Sequence, residues 1–99
     1  MHFKIEDRSM EPTLKPGDYA IVNKLAYIFS KPSKDDIIVF KHPKEKNKFL
    51  IKRIYLATTN DEYFVVGDNK DYSSDSRHFG AIKKNLIVGK LFMHIKKGK

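Results

Sequence analysis

With 99 residues the chain has room for one small domain that buries roughly 60–65% of its unfolded surface, which excludes a second catalytic domain within it. There is no cysteine, so disulfides and thiolate chemistry are excluded, and His2, His42, His78 and His94 lack the i, i+4 or cysteine-linked spacing of a zinc site. The net charge is +8, yet the lysines gather in loops and a tail (Lys41, Lys44, Lys46, Lys48; Lys96, Lys97, Lys99), so a solvated face ranks ahead of an anionic membrane surface, and that ahead of nucleic acid.

The first residues, Met1 to Asp7, lack the apolar core of a signal peptide, and no stretch approaches the ~20 apolar residues that cross a bilayer. Met10–Leu14 suggests a helical turn. Tyr19–Asn23, Ile37–Lys41, Phe49–Ala57, Glu62–Val66 and Leu86–Ile95 are rich in β-branched and aromatic residues and read as strands. Breaks such as Lys31-Pro32-Ser33, Lys44–Lys48 and Thr58–Asp61 separate them. Leu25–Ser30 is too short to assign, and Lys83–Asn85 suggests a second helical turn. The expectation is an all-β, mostly antiparallel domain over residues 1–99, with neither repeats nor an internal boundary.

Two segments carry the chemistry. Ser9-Met10-Glu11-Pro12-Thr13-Leu14 places a hydroxyl at a turn, and Phe49-Leu50-Ile51-Lys52-Arg53-Ile54 places a lysine in an apolar run where its charge is costly. A serine beside a lysine held neutral is a nucleophile with its base. On a strand Leu50 and Ile54 share the face of Lys52 and supply an apolar wall. Arg53 is the poorer base, because a guanidinium keeps its proton; it is expected to pair with a carboxylate of the Asp68–Asp75 loop. Each segment taken singly has a plain alternative: a Pro-containing turn, and a strand lysine that faces water.

The segment Gly67-Asp68-Asn69-Lys70-Asp71-Tyr72-Ser73-Ser74-Asp75-Ser76-Arg77-His78-Phe79-Gly80 is too rich in carboxylates, amides and hydroxyls for a simple hairpin tip. Its alternative is a loop held by Asx turns. Asp71-x-Ser73-x-Asp75 imitates the opening of a calcium loop, but Ser76 replaces the glycine and Ile82 the glutamate that such a loop requires. Neither metal nor cofactor is expected.

With these blocks in order, joined by Pro16-Gly17-Asp18-Tyr19 and by Asp36-Ile37-Ile38-Val39-Phe40 before Pro43, the chain from about Phe3 to Met93 resembles the type I signal peptidases, serine–lysine endopeptidases that remove export signals. The resemblance implies Ser9 as nucleophile, Lys52 as general base, Ser73 as the hydroxyl that orients the lysine, and Asp75 with Arg77 as a structural ion pair. It implies a precursor protein or signal peptide as substrate, cut after small residues of the Ala-x-Ala type. That substrate would add as a strand between the residues before Ser9 and those before Lys52. By position Phe3, Ile5, Met10, Leu14, Leu50 and Ile51 are candidates to line its apolar pockets, with core packing as the alternative for several of them.

Relatives of this kind carry a membrane anchor ahead of the serine block and work outside the cytoplasm. The expectation here is either a soluble, cytoplasmic member or an anchor outside this chain, with the catalytic domain membrane-associated. Two departures stand out. Asp7 occupies a position where many relatives have serine or glycine, and a carboxylate donates nothing to an oxyanion. The stretch Ile54–Asp61 runs almost directly into the next strand with no inserted β domain, as in compact members similar to the nickel superoxide dismutase maturation proteases. Other readings are self-cleavage, as in the SOS-repressor proteases, and a peptide-binding pseudo-protease that has lost turnover through Asp7.

Overall fold

Among the described residues seven strands, β1 (His2–Lys4), β2 (Tyr19–Asn23), β3 (Ile37–Lys41), β4 (Phe49–Ala57), β5 (Glu62–Val66), β6 (Ile82–Lys83) and β7 (Ile87–Ile95), form one sheet in the order β1-β2-β7-β3-β4-β5-β6. Every neighbouring pair is antiparallel. The computed structural model describes residues 1–97. Among them helical structure is confined to α1 (Ser76–Phe79) and to 3-10 turns at Lys70–Tyr72 and Lys84–Leu86, so the fold is all-β as anticipated.

Strands β2 to β5 have the bounds expected from β-branched and aromatic content, and β7 begins one residue later than expected. Strands β1 and β6 were not anticipated, because three and two residues are too few to display a period of two. They exist by pairing: β1 lies against β2 in the register Phe3 to Ala20, and β6 against β5 in the register Tyr63 to Ile82. Met10–Leu14 closes one backbone bond of helical type, from the Leu14 N–H to the Met10 carbonyl at 2.9 Å, and remains a turn. The expected turn at Lys83–Asn85 appears one residue further on. Helix α1 starts where the Asp75 side chain accepts from the Arg77 N–H and joins His78 in a capping box. It stops at Gly80, whose φ of 84° is open to glycine at little cost.

Both sheet faces are covered. Ile38 and Phe40 of β3, Ile54 of β4, Tyr63 and Val65 of β5 and Ile82 of β6 make one buried cluster. Ile5, Met10, Leu14, Ala20 and Ile37 make the other. Alternation along β3 and β4 feeds both, since Ile37 and Ile51 point to the second cluster while Ile38, Leu50 and Ile54 point to the first. Each such apolar side chain contributes about 1.5–3 kcal/mol by leaving water.

One consequence of the register sets the site. The first half of β4 pairs with β3, from Phe49 opposite Lys41 to Arg53 opposite Ile37, whereas β5 joins β4 only from Arg53 onward. Among the described residues, the edge of Phe49–Lys52 that faces away from β3 therefore has no strand neighbour. Strand β1, at the end of the sheet, also pairs on one side only.

Candidate active site

Ser9 lies just beyond β1 on the turn that ends at Leu14. That turn is pinned from below by Met10 and Leu14, both fully buried in the second cluster. It is pinned laterally by the Gly67–Tyr72 segment: the Asn69 N–H donates to the Ser9 carbonyl at 2.8 Å and the Asn69 side-chain amide to the Arg8 carbonyl at 3.0 Å. Ser9 is 1% exposed as a result.

Lys52 stands in the middle of β4, opposite Ile38 in register, and is 2% exposed. Its Nζ lies 2.7 Å from Ser9 Oγ, and among the described residues this is its one hydrogen bond. Burial lowers the ammonium pKa below its ordinary value, because the charged form loses its hydration. The carboxylates of Asp7 and Asp75 act in the opposite direction, and Lys48 acts with burial.

The polar loop beside this pair is built around Asp75, which has no exposed surface. Its carboxylate accepts from the Gly67 N–H at 2.9 Å and from Ser73 Oγ at 2.8 Å. Arg77 donates to it from Nε at 2.9 Å, from Nη2 at 3.0 Å and from its backbone N–H at 3.1 Å. Burial favours the neutral acid, but these donors outweigh it and hold the carboxyl far below the usual carboxylate range. Gly67 is required here: a Cβ at that position would sit 2.7 Å from the Ser9 carbonyl oxygen and 2.6 Å from Ser73 Cβ. Arg53 grips Asp68 through Nε and Nη2, both at 2.9 Å, and Thr13 donates to the same carboxylate, which ties the serine turn, β4 and the loop together.

Ser73 is buried next to this network, but its hydroxyl donates to Asp75. Among the described residues no hydrogen bond joins it to Lys52, so the orienting contact expected from the resemblance is absent from this conformation.

A cleft opens at Ser9 and Lys52. One wall is the segment from Phe3 to Asp7, and the other is Phe49–Lys52 with Val39. Of the residues expected to line pockets, Phe3, Ile5, Leu50 and Ile51 do so, while Met10 and Leu14 are core. Sequence reasoning missed Val39 and Phe49. Phe49 had a signal, being the outward-facing start of the same apolar run as Leu50; its ring meets that of Phe3 at 5.8 Å between centroids. The residue whose position matters most is Asp7. Its Oδ1 accepts from Ser9 Oγ at 2.9 Å and from the Ser9 backbone N–H at 3.1 Å.

Among the described residues no three His, Cys, Asp or Glu side chains lie close enough together to hold a metal ion, and no helix is long and apolar enough to cross a membrane.

Comparison with known proteins bears on this arrangement. The family model described as signal peptidase, peptidase S26, matches residues 1–58 and 55–95. The chain is similar to signal peptidase I of Aquifex aeolicus, 46% identical over 71 residues that cover 70% of this chain and 27% of that protein. It is also similar to signal peptidase I V of Bacillus subtilis, 31% identical over 88% of this chain and 80% of the relative. The mouse mitochondrial inner membrane protease subunit 1 is 29% identical over 88% of this chain and 64% of its own length. The alignment to the Bacillus protein spans 137 positions, more than this chain contains, so that relative carries residues with no counterpart here. The family match divides at residues 55–58, in the hairpin between β4 and β5 where the chain is short. Matched along almost its whole length and at this level of identity, the chain belongs to the signal peptidase family, peptidase S26.

Proposed function

We propose that the chain is a serine–lysine endopeptidase that cleaves signal or leader peptides after small residues, with one catalytic domain spanning its length. The observation that carries this reading is the 2.7 Å contact between Lys52 Nζ and Ser9 Oγ at a site from which water is excluded on nearly every side. With its amine neutral, Lys52 takes the Ser9 hydroxyl proton as Oγ bonds to the scissile carbonyl carbon. The resulting lysinium returns that proton to the leaving amine as the peptide C–N bond breaks. A water molecule then attacks the acyl-serine and loses its proton to Lys52; the acyl C–Oγ bond breaks as the lysinium returns that proton to Ser9 Oγ, releasing the acid and restoring the serine hydroxyl and the neutral amine.

The cleft suits an extended peptide. Two strand edges without neighbours among the described residues, β1 with its continuation to Asp7 and the first half of β4, face across it, and a chain laid between them finds backbone partners on both sides. Phe3 and Phe49, in contact with each other, narrow the cleft and favour small side chains near the cut. The substrate is then a precursor protein presenting a signal or leader segment. Membrane association, with the catalytic domain outside the cytoplasm, accords with relatives named as inner membrane proteases. The net charge of +8 accords with an anionic lipid surface as neighbour, and no nucleic-acid partner is proposed.

The test is turnover of an Ala-x-Ala peptide followed by mass spectrometry. Ser9→Ala and Lys52→Ala each lower kcat by at least ~10³-fold, and the double variant is no worse than either single one, because the two groups act as a unit. Retained turnover in Lys52→Ala would sink the dyad. One observation favours a second, non-catalytic reading as a peptide-binding module, namely the carboxylate of Asp7 on the nucleophile. Acylation of Ser9 by an active-site probe separates the two.

A further inference from the structure

We propose that Asp7 is an inhibitory residue built into the active site. Its carboxylate occupies the place that a substrate's carbonyl oxygen must take against the Ser9 N–H, and turnover requires its displacement. The inference rests on the serine–lysine reading above and concerns how fast that site works.

The geometry has two parts. In acyl transfer the backbone N–H of the nucleophile is a donor aimed at the developing oxyanion, and such donors accelerate reaction only when free to receive it. Here that N–H is spent on Asp7 Oδ1 at 3.1 Å. The same oxygen takes the hydroxyl hydrogen of Ser9 at 2.9 Å. With Lys52 as ammonium, its Nζ donates to Ser9 Oγ and Oγ donates onward to Asp7, so the serine proton points away from its base. Attack needs that chain reversed, with Oγ donating to a neutral Lys52.

Among the described residues nothing other than Ser9 engages the Asp7 carboxylate. Arg8 is committed to Glu11 at 2.7 Å and lies over the Tyr72 ring, and Arg53 is committed to Asp68. Among the described residues the only hydrogen bonds of the Asp7 side chain come from Ser9. The residue is exposed, so its side chain has room to swing into solvent when a peptide enters. Its charge also bears on the base: of the charged groups acting on Lys52, Asp7 and Asp75 favour the ammonium and Lys48 disfavours it. Removing Asp7 leaves Asp75, held in its own network, as the one carboxylate favouring the charged form.

The competing account is that Asp7 merely shapes the turn, since a bond from the N–H two residues on is an Asx turn. Substitutions separate the two, because asparagine keeps the turn acceptor and loses the charge, whereas alanine and serine free the Ser9 N–H. Kinetics on the full chain with an Ala-x-Ala peptide, across pH, provide the readout. Asp7→Ala and Asp7→Ser raise kcat, the serine variant by up to ~10²-fold because it adds a donor. Asp7→Asn raises kcat less, and in all three the pH midpoint of kcat/KM falls. If kcat in Asp7→Ala and Asp7→Ser is equal to or below that of the parent, and the midpoint stays fixed, Asp7 is a turn residue and the proposal is overturned. Should those two variants fail to fold, Asp7→Asn decides by its midpoint alone: a fall supports the proposal and no change overturns it. Each variant is paired with Ser9→Ala, where persisting turnover counts against the serine–lysine reading itself, while Ser9-dependent turnover that ignores Asp7 overturns only the inhibitory role.

Discussion

Lys52 and Asp75 are both ionisable side chains withdrawn from water, and the fold treats them in opposite ways. Asp75 is surrounded by donors from Gly67, Ser73 and Arg77 and stays charged. Lys52 sits between Leu50 and Ile54 with one hydrogen bond among the described residues, to Ser9, and burial pushes it toward neutrality. A saturated buried charge organises its surroundings, and a poorly partnered one is driven toward its neutral form. The loop that holds Asp75 also positions the serine turn, through Asn69 and through the gap left at Gly67.

The largest effect that breaks this contrast is Lys52→Met. A thioether of similar length fills the same apolar slot without a charge to desolvate. Turnover falls by at least ~10³-fold, while thermal unfolding shows Tm rising by about 2–8 °C near neutral pH. A Tm that falls would mean that the Lys52–Ser9 bond contributes more than desolvation removes.

Asp75→Ala is the opposite case. It strands the Gly67 N–H and the Ser73 hydroxyl inside and costs about 2–4 kcal/mol, read as a fall in Tm of roughly 10 °C or more. The pH dependence has a definite sign. With its folded pKa depressed, Asp75 contributes stability that is fully present above the ordinary carboxylate value, roughly 3.9, and is lost as pH falls below it. The difference in Tm between parent and Asp75→Ala therefore shrinks on acidification. A difference independent of pH down to about 2 would show that the network acts by packing alone.

The smallest effect sharpens the comparison on the Lys52 side. Because burial depresses the folded pKa of Lys52, the unfolded chain holds the extra proton in the interval between that value and roughly 10.4, and stability rises with pH across it. Lys52→Met lacks this rise. The kcat/KM of the parent climbs over the same interval, with a midpoint below that of an ordinary lysine. A midpoint at the unperturbed value would show that desolvation is not operating.

How much of this was legible in the chain differs by residue. Runs of β-branched and aromatic residues between Pro-, Lys- and Asn/Asp-rich breaks determined β2 to β5 to the residue, because a half-buried pleated strand needs those side chains at that spacing. Motif spacing was enough to single out Ser9, Lys52 and the Gly67–Gly80 loop, which the fold brings together. It was also enough to mark Asp7 as out of pattern. Only tertiary structure decided which side chains meet. Met10 and Leu14, apolar residues close to Ser9 in sequence, go to the core and not to the cleft, since the turn that carries Ser9 packs downward. Ser73 bonds Asp75 instead of Lys52, a choice between two partners that no local spacing encodes. The open edges of β1 and of the first half of β4 arise from which strands neighbour them, a long-range pairing settled by the sheet order. The contact of Asp7 with Ser9 is local in sequence, two residues apart, yet it depends on a turn held in place by Asn69, about sixty residues further along the chain, and that is a property of the folded molecule alone.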